Sequence, residues 1–378
     1  MTLRALHVYS GNLYGGVERM LTTFAGLRGV SGLEQRFALC FDGRLADEIR
    51  AAGAPLALLG DVRMSRPWTV LRARRALRRT LRDARPDVVI CHSSWTQGLF
   101  GGVVRDAGVP LVFWLHDFVT GETWADRLAR RTAPDAAICT SAFAGESLGR
   151  LWSHVRGDVV YPPVPQPDTP VDRAALRAAL RTPADDVVIL QASRMEPWKG
   201  HRLLVRGLAA IRDLEGWTCW IAGGAQRPHE EAHRAEVAAL ARKLGVASRI
   251  RYLGHRGDVP ALMAAADVLC QPNVGPEPFG IAFVEGMHAG LPVVATAIGG
   301  AREIVDASCG ILVPPDDPAA LGDALRQLVR DADLRARLGA AGPAHARALS
   351  DPARQAERMR DVLARVVRSA RGSTTQSP

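Results

Sequence analysis

The stretch PPVPQPDTP, residues 162–170, divides the 378-residue chain into two halves that repeat one plan. Proline has no amide donor and a fixed φ, so this stretch can form neither a helix nor a central strand. We interpret it as a linker between a domain at residues 1–163 and a domain at residues 164–350. The chain length also suits two α/β domains better than a single core.

On both sides of the linker, short apolar runs alternate with helical patterns, which is typical of parallel sheets covered by helices on both faces. The strands predicted before the linker are 6–9, 36–41, 56–59, 87–91, 111–115, 136–140 and 159–161. Those predicted after it are 187–191, 218–221, 250–253, 268–271, 293–295 and 311–313. We therefore predict two Rossmann-like β/α/β domains. A helix at 351–370 should return to the first domain, and residues 371–378 should form a disordered tail.

Composition narrows the class of protein. The formal charge of +9 is carried almost wholly by arginine, because Lys199 and Lys243 are the only lysines. No apolar run reaches the roughly 18 to 20 residues that a spanning helix needs, and no secretory signal pattern is present, so we expect a cytoplasmic protein. The six cysteines include no Cys-x-x-Cys pair, which predicts neither a disulfide framework nor a zinc site.

In open parallel sheets, ligands bind beyond the carboxyl ends of the strands, so the loops there are the candidate sites. The loop after the first strand is SGNLYGGVE, residues 10–18, in which Gly15 and Gly16 would let the backbone approach a ligand. A tight turn into a helix explains these glycines equally well. The loop matches neither the dinucleotide fingerprint nor the Walker pattern, which argues against a hydride-transfer enzyme or an ordinary NTPase.

The loop ASRMEPWKG, residues 192–200, places Arg194 and Lys199 around one loop tip in the second domain. Together they could clamp a diphosphate, the arginine as a fork and the lysine as a point charge. Two solvated basic residues are the alternative.

The segment EPFGIAFVE, residues 277–285, follows a predicted strand of the second domain. A helix beginning near Phe279 would leave Glu277 at its mouth, and its free amides could bind phosphate. Glu285, two turns on, would then lie on nearly the same side. The alternative is that Glu277 caps the helix while Glu285 is a satisfied surface acid.

Together these residues resemble retaining glycosyltransferase family 4, whose GT-B fold has two Rossmann-like domains facing each other across a cleft. The resemblance covers nearly the whole chain. It is carried by Gly15-Gly16, Leu115-His116-Asp117, Tyr161-Pro162, Arg194 with Lys199-Gly200, Glu277 with Glu285, and Gly299-Gly300 followed by Glu303.

The resemblance implies a role for each matching residue. Arg194 and Lys199 would neutralise the diphosphate of a nucleotide-sugar donor, Glu277 would contact hydroxyls of the transferred sugar, and Glu285 would hold the ribose. The main chain at Phe279, Gly280 and Ile281 would bind the distal phosphate, and the loop at Leu253, Gly254 and His255 would line the base. Gly15 and Gly16 would border the donor and acceptor, and His116 would lie beside the reacting sugar.

The implied reaction is front-face substitution with retention, in which the acceptor hydroxyl attacks on the side from which the diphosphate leaves. Catalysis would rest on positioning and on stabilising the leaving charge, with no cofactor and no metal ion. A UDP-sugar is the donor that the family favours. The acceptor would belong to glycan, glycolipid or natural-product biosynthesis. A sugar-nucleotide epimerase and a non-catalytic nucleotide-sugar binding subunit are the alternatives.

Three further signals stay open or are set aside. The first-domain acceptor candidates are His92, Trp95 and Tyr14, although His92 and Trp95 could equally be packing residues. The HEEAH run at 229–233 matches a zinc-protease helix, but a short charged surface helix explains it.

A basic amphipathic helix is predicted within Arg63–Arg85, which contains nine arginines against the single acid Asp83. It could lie on anionic lipid at the inner membrane face, meet a phosphorylated acceptor, or simply cover the core with a charged outer side. Nucleic acid is not expected as a partner, because the segment lacks aromatic interleaving and a recognition motif.

Overall fold

The computed structural model describes residues 2–11, 15–27, 29, 32–167, 170–225 and 227–374. The chain forms two compact units, Met1–Pro165 with Ser350–Pro378 (unit 1) and Gln166–Leu349 (unit 2). The division falls after Pro165 rather than after residue 163, because the Val164 amide donates to the Ser350 carbonyl at 3.0 Å and keeps the start of the linker with unit 1.

Unit 1 contains a seven-stranded parallel sheet. Its strands are β1 (Leu3–Tyr9), β2 (Leu33–Leu39), β3 (Leu56–Leu58), β4 (Val88–His92), β5 (Leu111–Leu115), β6 (Ala136–Cys139) and β7 (Gly157–Val159). Their spatial order is β3-β2-β1-β4-β5-β6-β7. Six of the seven strands predicted before the linker are confirmed, whereas the seventh, predicted at 159–161, lies at Gly157–Val159 and shares only Val159 with the prediction.

The helices of unit 1 before the linker lie on both faces of this sheet. They are α1 (Gly16–Gly26), α2 (Arg44–Ala51), α3 (Pro67–Ala84), α4 (Ser93–Asp106), α5 (Trp124–Ala129) and α6 (Ala142–Gly145). Alternate residues of β1 enter different cores, since Ala5 packs with α1 and α2 while Leu6 packs with α3 and α4. The predicted basic helix is α3, whose buried stripe is Ala73, Leu77 and Leu81.

Unit 2 repeats the plan with a six-stranded parallel sheet in the order β10-β9-β8-β11-β12-β13. The strands are β8 (Val187–Ala192), β9 (Trp217–Ala222), β10 (Ile250–Gly254), β11 (Val268–Gln271), β12 (Val293–Thr296) and β13 (Gly310–Val313). The helices are α7 (Arg173–Ala179), α8 (His201–Ala210), α9 (Pro228–Lys243), α10 (Val259–Ala265), α11 (Ile281–His288), α12 (Ala301–Ile304), α13 (Pro318–Arg330) and α14 (Ala332–Ser350). All six strands predicted for this half are confirmed.

A buried ion pair ties α7 to the centre of this sheet. Arg177 donates to the Asp267 carboxylate at 2.5 Å, and the same carboxylate accepts from the Val188 amide at 2.7 Å. Arg173 also bonds to Asp267, but its side chain is 44% exposed whereas that of Arg177 is 7% exposed. Asp267 therefore fixes the start of β8, the strand that leads to the candidate site.

The final helix, α15 (Pro352–Thr374), belongs to unit 1. Its apolar residues Met359 and Leu363 are buried in the same core as Phe24 and Trp114. The helix continues to Thr374, past residue 371, where a disordered tail was predicted, and the Arg371 guanidinium bonds to Asp87 at 3.2 Å. In the part of the chain that the structure describes, we find no helix of the length and apolar character needed to cross a membrane.

Candidate functional site

The strand order of unit 2 reverses between β8 and β11, since β9 and β10 lie beyond β8 while β12 and β13 lie beyond β11. Ligands of open parallel sheets bind outside the carboxyl ends of the strands at such a reversal. The loop 193–200 follows β8 and the loop 272–280 follows β11. These loops carry Arg194, Lys199 and Glu277, so the candidate residues occupy the place where the topology predicts a ligand.

Two buried glutamines fix this edge of the sheet, since Gln271 joins the ends of β11 and β8 and Gln191 joins β8 to the loop at Lys199. The Gln271 side-chain amide donates to the Ala192 carbonyl at 2.7 Å, and the Gln191 amide donates to the Lys199 carbonyl at 2.8 Å. Both side chains lie in the sheet rather than in the loops. The backbone around Lys199 is therefore held by a rigid element, as a binding site requires.

The centre of the site is an ion pair between the Lys199 ammonium and the Glu277 carboxylate. Asn273 donates to the same carboxylate at 3.0 Å, and the ammonium lies 3.9 Å from the centre of the Trp198 ring. The pair joins the loop after β8 to the loop after β11. It sets a cation that can neutralise phosphate beside an acceptor that can bind sugar hydroxyls.

Glycines allow the close backbone contacts around this ion pair. Gly200 has φ +76°, and a Cβ there would lie 1.7 Å from the Pro272 carbonyl oxygen. Gly299 has φ +61°, and its Cβ would lie 2.4 Å from the Glu277 carbonyl oxygen, to which the Gly300 amide donates at 2.7 Å. No side chain fits at Gly200 or Gly299, which explains the glycine after Lys199 and the Gly299-Gly300 step.

Arg194 has a different set of partners from Lys199. Its guanidinium lies 3.4 Å from the Glu196 carboxylate and 3.6 Å from that of Glu230, which is buried in α9. Glu230 was not predicted from the sequence, because its helix carries many charged residues and has the pattern of a solvated surface helix. Glu230 therefore sets a buried carboxylate beside the Arg194 guanidinium.

The histidines of the HEEAH run have separate surroundings. His229 lies 3.5 Å from Glu196, whereas the buried His233 packs edge-on against His201 with ring centres 5.6 Å apart. Glu196, His229 and Glu230 bring ligand atoms within 4.8 Å of one another, but the Arg194 guanidinium contacts both carboxylates. The arginine already supplies the positive charge there.

The helix after Glu277 begins later than predicted. Gly280 is the N-cap, with φ +95°, and α11 begins at Ile281, so Pro278 lies outside the first turn. A Cβ at Gly280 would lie 2.4 Å from the Phe283 ring. The Phe279 side chain is buried, so only the main chain of Phe279 could contact a ligand. At the start of α11 the Phe283 amide donates to the Gly280 carbonyl at 3.0 Å, so the amides of Ile281 and Ala282 are the ones that could bind a phosphate.

Glu285 lies further along α11, and its side chain is buried. The structure thus places it on the helix that the Glu277 loop enters. Its role toward the ribose stays a prediction.

Of the residues predicted to bind the base, Leu253 and Gly254 end β10 and His255 follows it, and two glycines not predicted from the sequence join them to the loop after β8. The Gly223 amide donates to the Gly254 carbonyl at 2.8 Å, and a Cβ at Gly223 would lie 1.7 Å from the Ser193 carbonyl oxygen. Gly224 approaches His255 so closely that its Cβ would lie 2.8 Å from that of the histidine. Leu253 lies in the last two residues of β10, at the same edge of the sheet. Two consecutive glycines directly after a strand were the available signal.

In unit 1, His116 follows β5 and is one of three hydrogen-bonded histidines. His92 Nδ1 lies 2.9 Å from His116 Nε2, and His92 Nε2 lies 2.9 Å from His7 Nδ1. Burial lowers the pKa of His116 to about 3 and that of His92 well below its ordinary value. The His92 ring is fully buried between the other two, as in the packing role that the sequence left open, and its contact with an acceptor stays a prediction.

The other candidates of unit 1 lie in three settings. Trp95 is partly buried in α4, with its ring 4.8 Å from that of Trp124, and Tyr14 lies outside the described residues. The Gly15 amide donates to Glu18 Oε2 at 2.8 Å, and Gly16 is the first residue of α1. The Gly15 amide therefore already has an acceptor in its own helix.

Comparison with known proteins identifies relatives for both units. Residues 14–166 match the family described as Glycosyltransferase Family 4, and residues 172–345 match Glycosyl transferases group 1. The phosphatidyl-myo-inositol mannosyltransferase of Mycobacterium leprae is 30% identical over 344 residues, which cover 88% of this chain and 89% of that protein. The D-inositol 3-phosphate glycosyltransferase of Corynebacterium glutamicum is 29% identical over 283 residues, which cover 68% of this chain and 67% of the relative.

Solved structures share the architecture. HepE of Anabaena in complex with UDP has a TM-score of 0.83 and 25% identity, covering 96% of this chain and 100% of that one. The same protein in complex with UDP-glucose has a TM-score of 0.82 and 25% identity, covering 96% of this chain and 99% of that one. The similarity therefore extends through both Rossmann-like units.

Proposed function

The chain belongs to glycosyltransferase family 4 and has the GT-B fold, and we propose that it transfers a sugar from a UDP-sugar to a hydroxyl acceptor with retention and without a metal ion. The observation that carries this proposal is the Lys199–Glu277 ion pair, held between β8 and β11 where the sheet order reverses. Two carboxyl-end loops there supply a cation for the diphosphate and a carboxylate for sugar hydroxyls.

In the proposed donor complex, the diphosphate takes the acceptor role that carboxylates have in this structure. Lys199 gives up part of its contact with Glu277 and bonds to a phosphate oxygen. Arg194 likewise gives up part of its contact with Glu196 and Glu230 and bonds to the diphosphate. Charge-assisted bonds to phosphate can replace those to carboxylate because the geometry is similar.

The other donor contacts retain the roles implied by the family. Glu277 then binds sugar hydroxyls, Glu285 binds the ribose, and the amides near Gly280 and Ile281 bind the distal phosphate. The loop at Leu253 to His255 lines the base.

The proposed chemistry needs no covalent protein intermediate. The acceptor oxygen attacks the anomeric carbon on the face from which the diphosphate leaves, and a leaving phosphate oxygen takes the acceptor proton. Arg194 and Lys199 stabilise the charge that develops on the diphosphate, which is where preorganised cations contribute most to rate. For unit 1 we retain the predicted place of His116 beside the reacting sugar.

The choice of UDP is supported by HepE, which was solved with UDP and with UDP-glucose. It can be tested by thermal shift with UDP-glucose, GDP-mannose and ADP-glucose at equal concentrations. At about 100 times its dissociation constant, a ligand specific for the folded state adds about 2.7 kcal/mol of stability. A larger rise in Tm with the GDP or ADP sugar would overturn the choice of UDP.

The names of the relatives suggest the first acceptors to test, because they act on D-inositol 3-phosphate or phosphatidyl-myo-inositol. We propose an acceptor that carries inositol phosphate. UDP-glucose would be incubated with each compound, and also alone, and the products analysed by mass spectrometry. A new glycoside is expected only with acceptor. An isomerised sugar nucleotide without acceptor would instead indicate an epimerase.

We also propose that α3 binds an anionic lipid surface. The exposed side of its first turns carries Trp68, which is 64% exposed, and Leu71, which is 51% exposed, with Arg72 and Arg75 alongside. Apolar side chains can enter the headgroup region, and each cation near it contributes about 1 kcal/mol.

The lipid proposal is tested by flotation with vesicles of phosphatidylcholine alone or mixed with phosphatidylglycerol. Binding should need the anionic lipid and should fall with Trp68→Ala. Trp124→Ala, which removes a tryptophan that is 58% exposed on α5, is the matched control. Equal binding to both vesicle types, or equal loss in both variants, would contradict the proposal.

A further inference from the structure

The three histidines of unit 1 form a continuous chain of hydrogen bonds that starts deep in the sheet and ends at His116. His7 lies in β1, His92 ends β4 and His116 follows β5. The rings are stacked, with centres 5.2 Å apart between His7 and His92 and 5.1 Å apart between His92 and His116. The chain therefore runs across three adjacent strands to a residue that the family resemblance assigns to the reacting sugar.

All three rings are neutral at ordinary pH. Burial lowers the pKa of His7 and of His116 to about 3, and it lowers the pKa of His92 well below the ordinary value. A neutral imidazole has one N–H and one acceptor nitrogen. The two hydrogen bonds can therefore run in either of two directions, and each direction fixes a different tautomer of His116.

Gln35 decides the direction. Its side-chain nitrogen donates to the Phe24 carbonyl at 3.1 Å, and because a carbonyl can only accept, the amide cannot be turned the other way. Its oxygen is buried and needs a donor. Gln35 on β2 lies on the same face of the sheet as His7 on the neighbouring strand β1, and the Gln35 oxygen and His7 Nε2 are both buried without an ordinary hydrogen bond. Gln35 opposes the lowering of the His7 pKa, as an oxygen facing a ring N–H does.

The proton positions then follow along the chain. We infer that His7 carries its proton on Nε2, because an N–H there faces the buried Gln35 oxygen favourably, whereas a lone pair there would face another acceptor. His7 Nδ1 must accept from His92 Nε2, and His92 Nδ1 must accept from His116 Nε2. His116 is left with its proton on Nε2 and a lone pair on Nδ1.

We propose that Gln35, His7 and His92 are positioning residues that hold His116 in the Nε2–H tautomer, so that Nδ1 accepts a hydrogen bond from a sugar hydroxyl. The hydrogen bond from the sugar hydroxyl to Nδ1 rests on the proposed function, whereas the tautomer of His116 does not. In the opposite tautomer, Nδ1 would be a donor and would leave that hydroxyl proton without an acceptor.

The tautomer can be measured directly by long-range ¹H–¹⁵N NMR of protein labelled at histidine. We expect His116 of the unmodified chain to be neutral with its proton on Nε2. Gln35→Leu removes the acceptor behind His7 and should produce a mixture of both tautomers at His116. Gln97→Leu is the matched control, because Gln97 is also buried and donates to a backbone carbonyl, that of Thr132, at 2.9 Å.

A kinetic measurement separates positioning from general loss of structure. With UDP-glucose and D-inositol 3-phosphate, kcat of Gln35→Leu should fall by the same factor as the Nε2–H population, with KM unchanged. Gln97→Leu should keep both values. An Nδ1–H tautomer in the unmodified chain, or an unchanged tautomer in Gln35→Leu, would overturn the proposal. Absence of turnover in the unmodified chain would instead count against the proposed function, and the NMR result would still decide the tautomer.

Discussion

The Lys199 ammonium bonds directly to the Glu277 carboxylate, although the two residues lie 78 positions apart in the sequence. The contact exists because β8 and β11 are neighbours in the sheet and both loops leave it at the carboxyl ends. A site assembled in this way depends on both charges and on the backbone that brings them together.

Replacing Lys199 tests the charge. Lys199→Ala should lower the rate of sugar transfer by about 10²- to 10³-fold, because a cation that stabilises the leaving diphosphate is lost. The measurement is steady-state kinetics with a saturating acceptor. Lys243→Ala is the matched control, since Lys243 is the only other lysine and lies exposed at the end of α9. Equal rates in the two variants would refute the role of Lys199.

Replacing Gly200 tests the backbone. Gly200→Ala and Gly216→Ala each place a side chain at positive φ, which costs about 1 to 2 kcal/mol. Only Gly200→Ala also meets a carbonyl oxygen, at 1.7 Å, whereas nothing lies within 4 Å of a Cβ at Gly216. Transfer should therefore be lost in the first variant alone. Urea unfolding should show a larger loss of stability there, and a Gly200→Ala protein as active as Gly216→Ala would contradict this account.

The buried ion pair beneath β8 should govern the stability of unit 2. Arg177→Ala leaves the Asp267 carboxylate without its buried partner and should lower the free energy of unfolding by about 3 to 5 kcal/mol. Arg173→Ala removes the exposed partner of the same carboxylate and should cost less than about 1 kcal/mol. Chemical denaturation of both variants compares them, and similar costs would show that burial is not the deciding factor.

Acid should destabilise the fold through its buried histidines. Burial lowers the pKa of His201 to about 3, so between pH 6.5 and about 3 the unfolded chain binds a proton that the folded chain does not. Stability contributed by the neutral ring is therefore complete above pH 6.5 and falls as the pH drops, by about 1.4 kcal/mol per pH unit for each such histidine. Urea unfolding at pH 7, 6 and 5 should show a shallower decline for His201→Gln, and identical slopes would contradict the assignment.

The sequence predicted most of the fold because strand and helix signals are local. The alternation of apolar runs located the strands of both sheets, and the proline stretch separated the two halves. Position after a strand was enough to select Lys199 and Glu277, because parallel strands bring their carboxyl ends to one edge.

What the sequence did not reveal depended on side chains meeting across the sheet. His92 ends a strand and so resembled a ligand-binding residue, but its ring is enclosed by His7 and His116 from neighbouring strands. Glu230 lies on a helix that sequence analysis treated as surface, yet it is buried against Arg194. Neither arrangement has a local pattern, because each partner lies far away along the chain.

Helix α15 also fixes the order in which the two units can be completed during synthesis. Every residue of unit 2 precedes Ser350, whereas the core around Trp114 waits for Met359 and Leu363. As the polypeptide leaves the ribosome, the later half of the gene product therefore has all its parts first. The earlier half must wait for α15 to be made, and until then the part of its core around Trp114 lacks that covering helix.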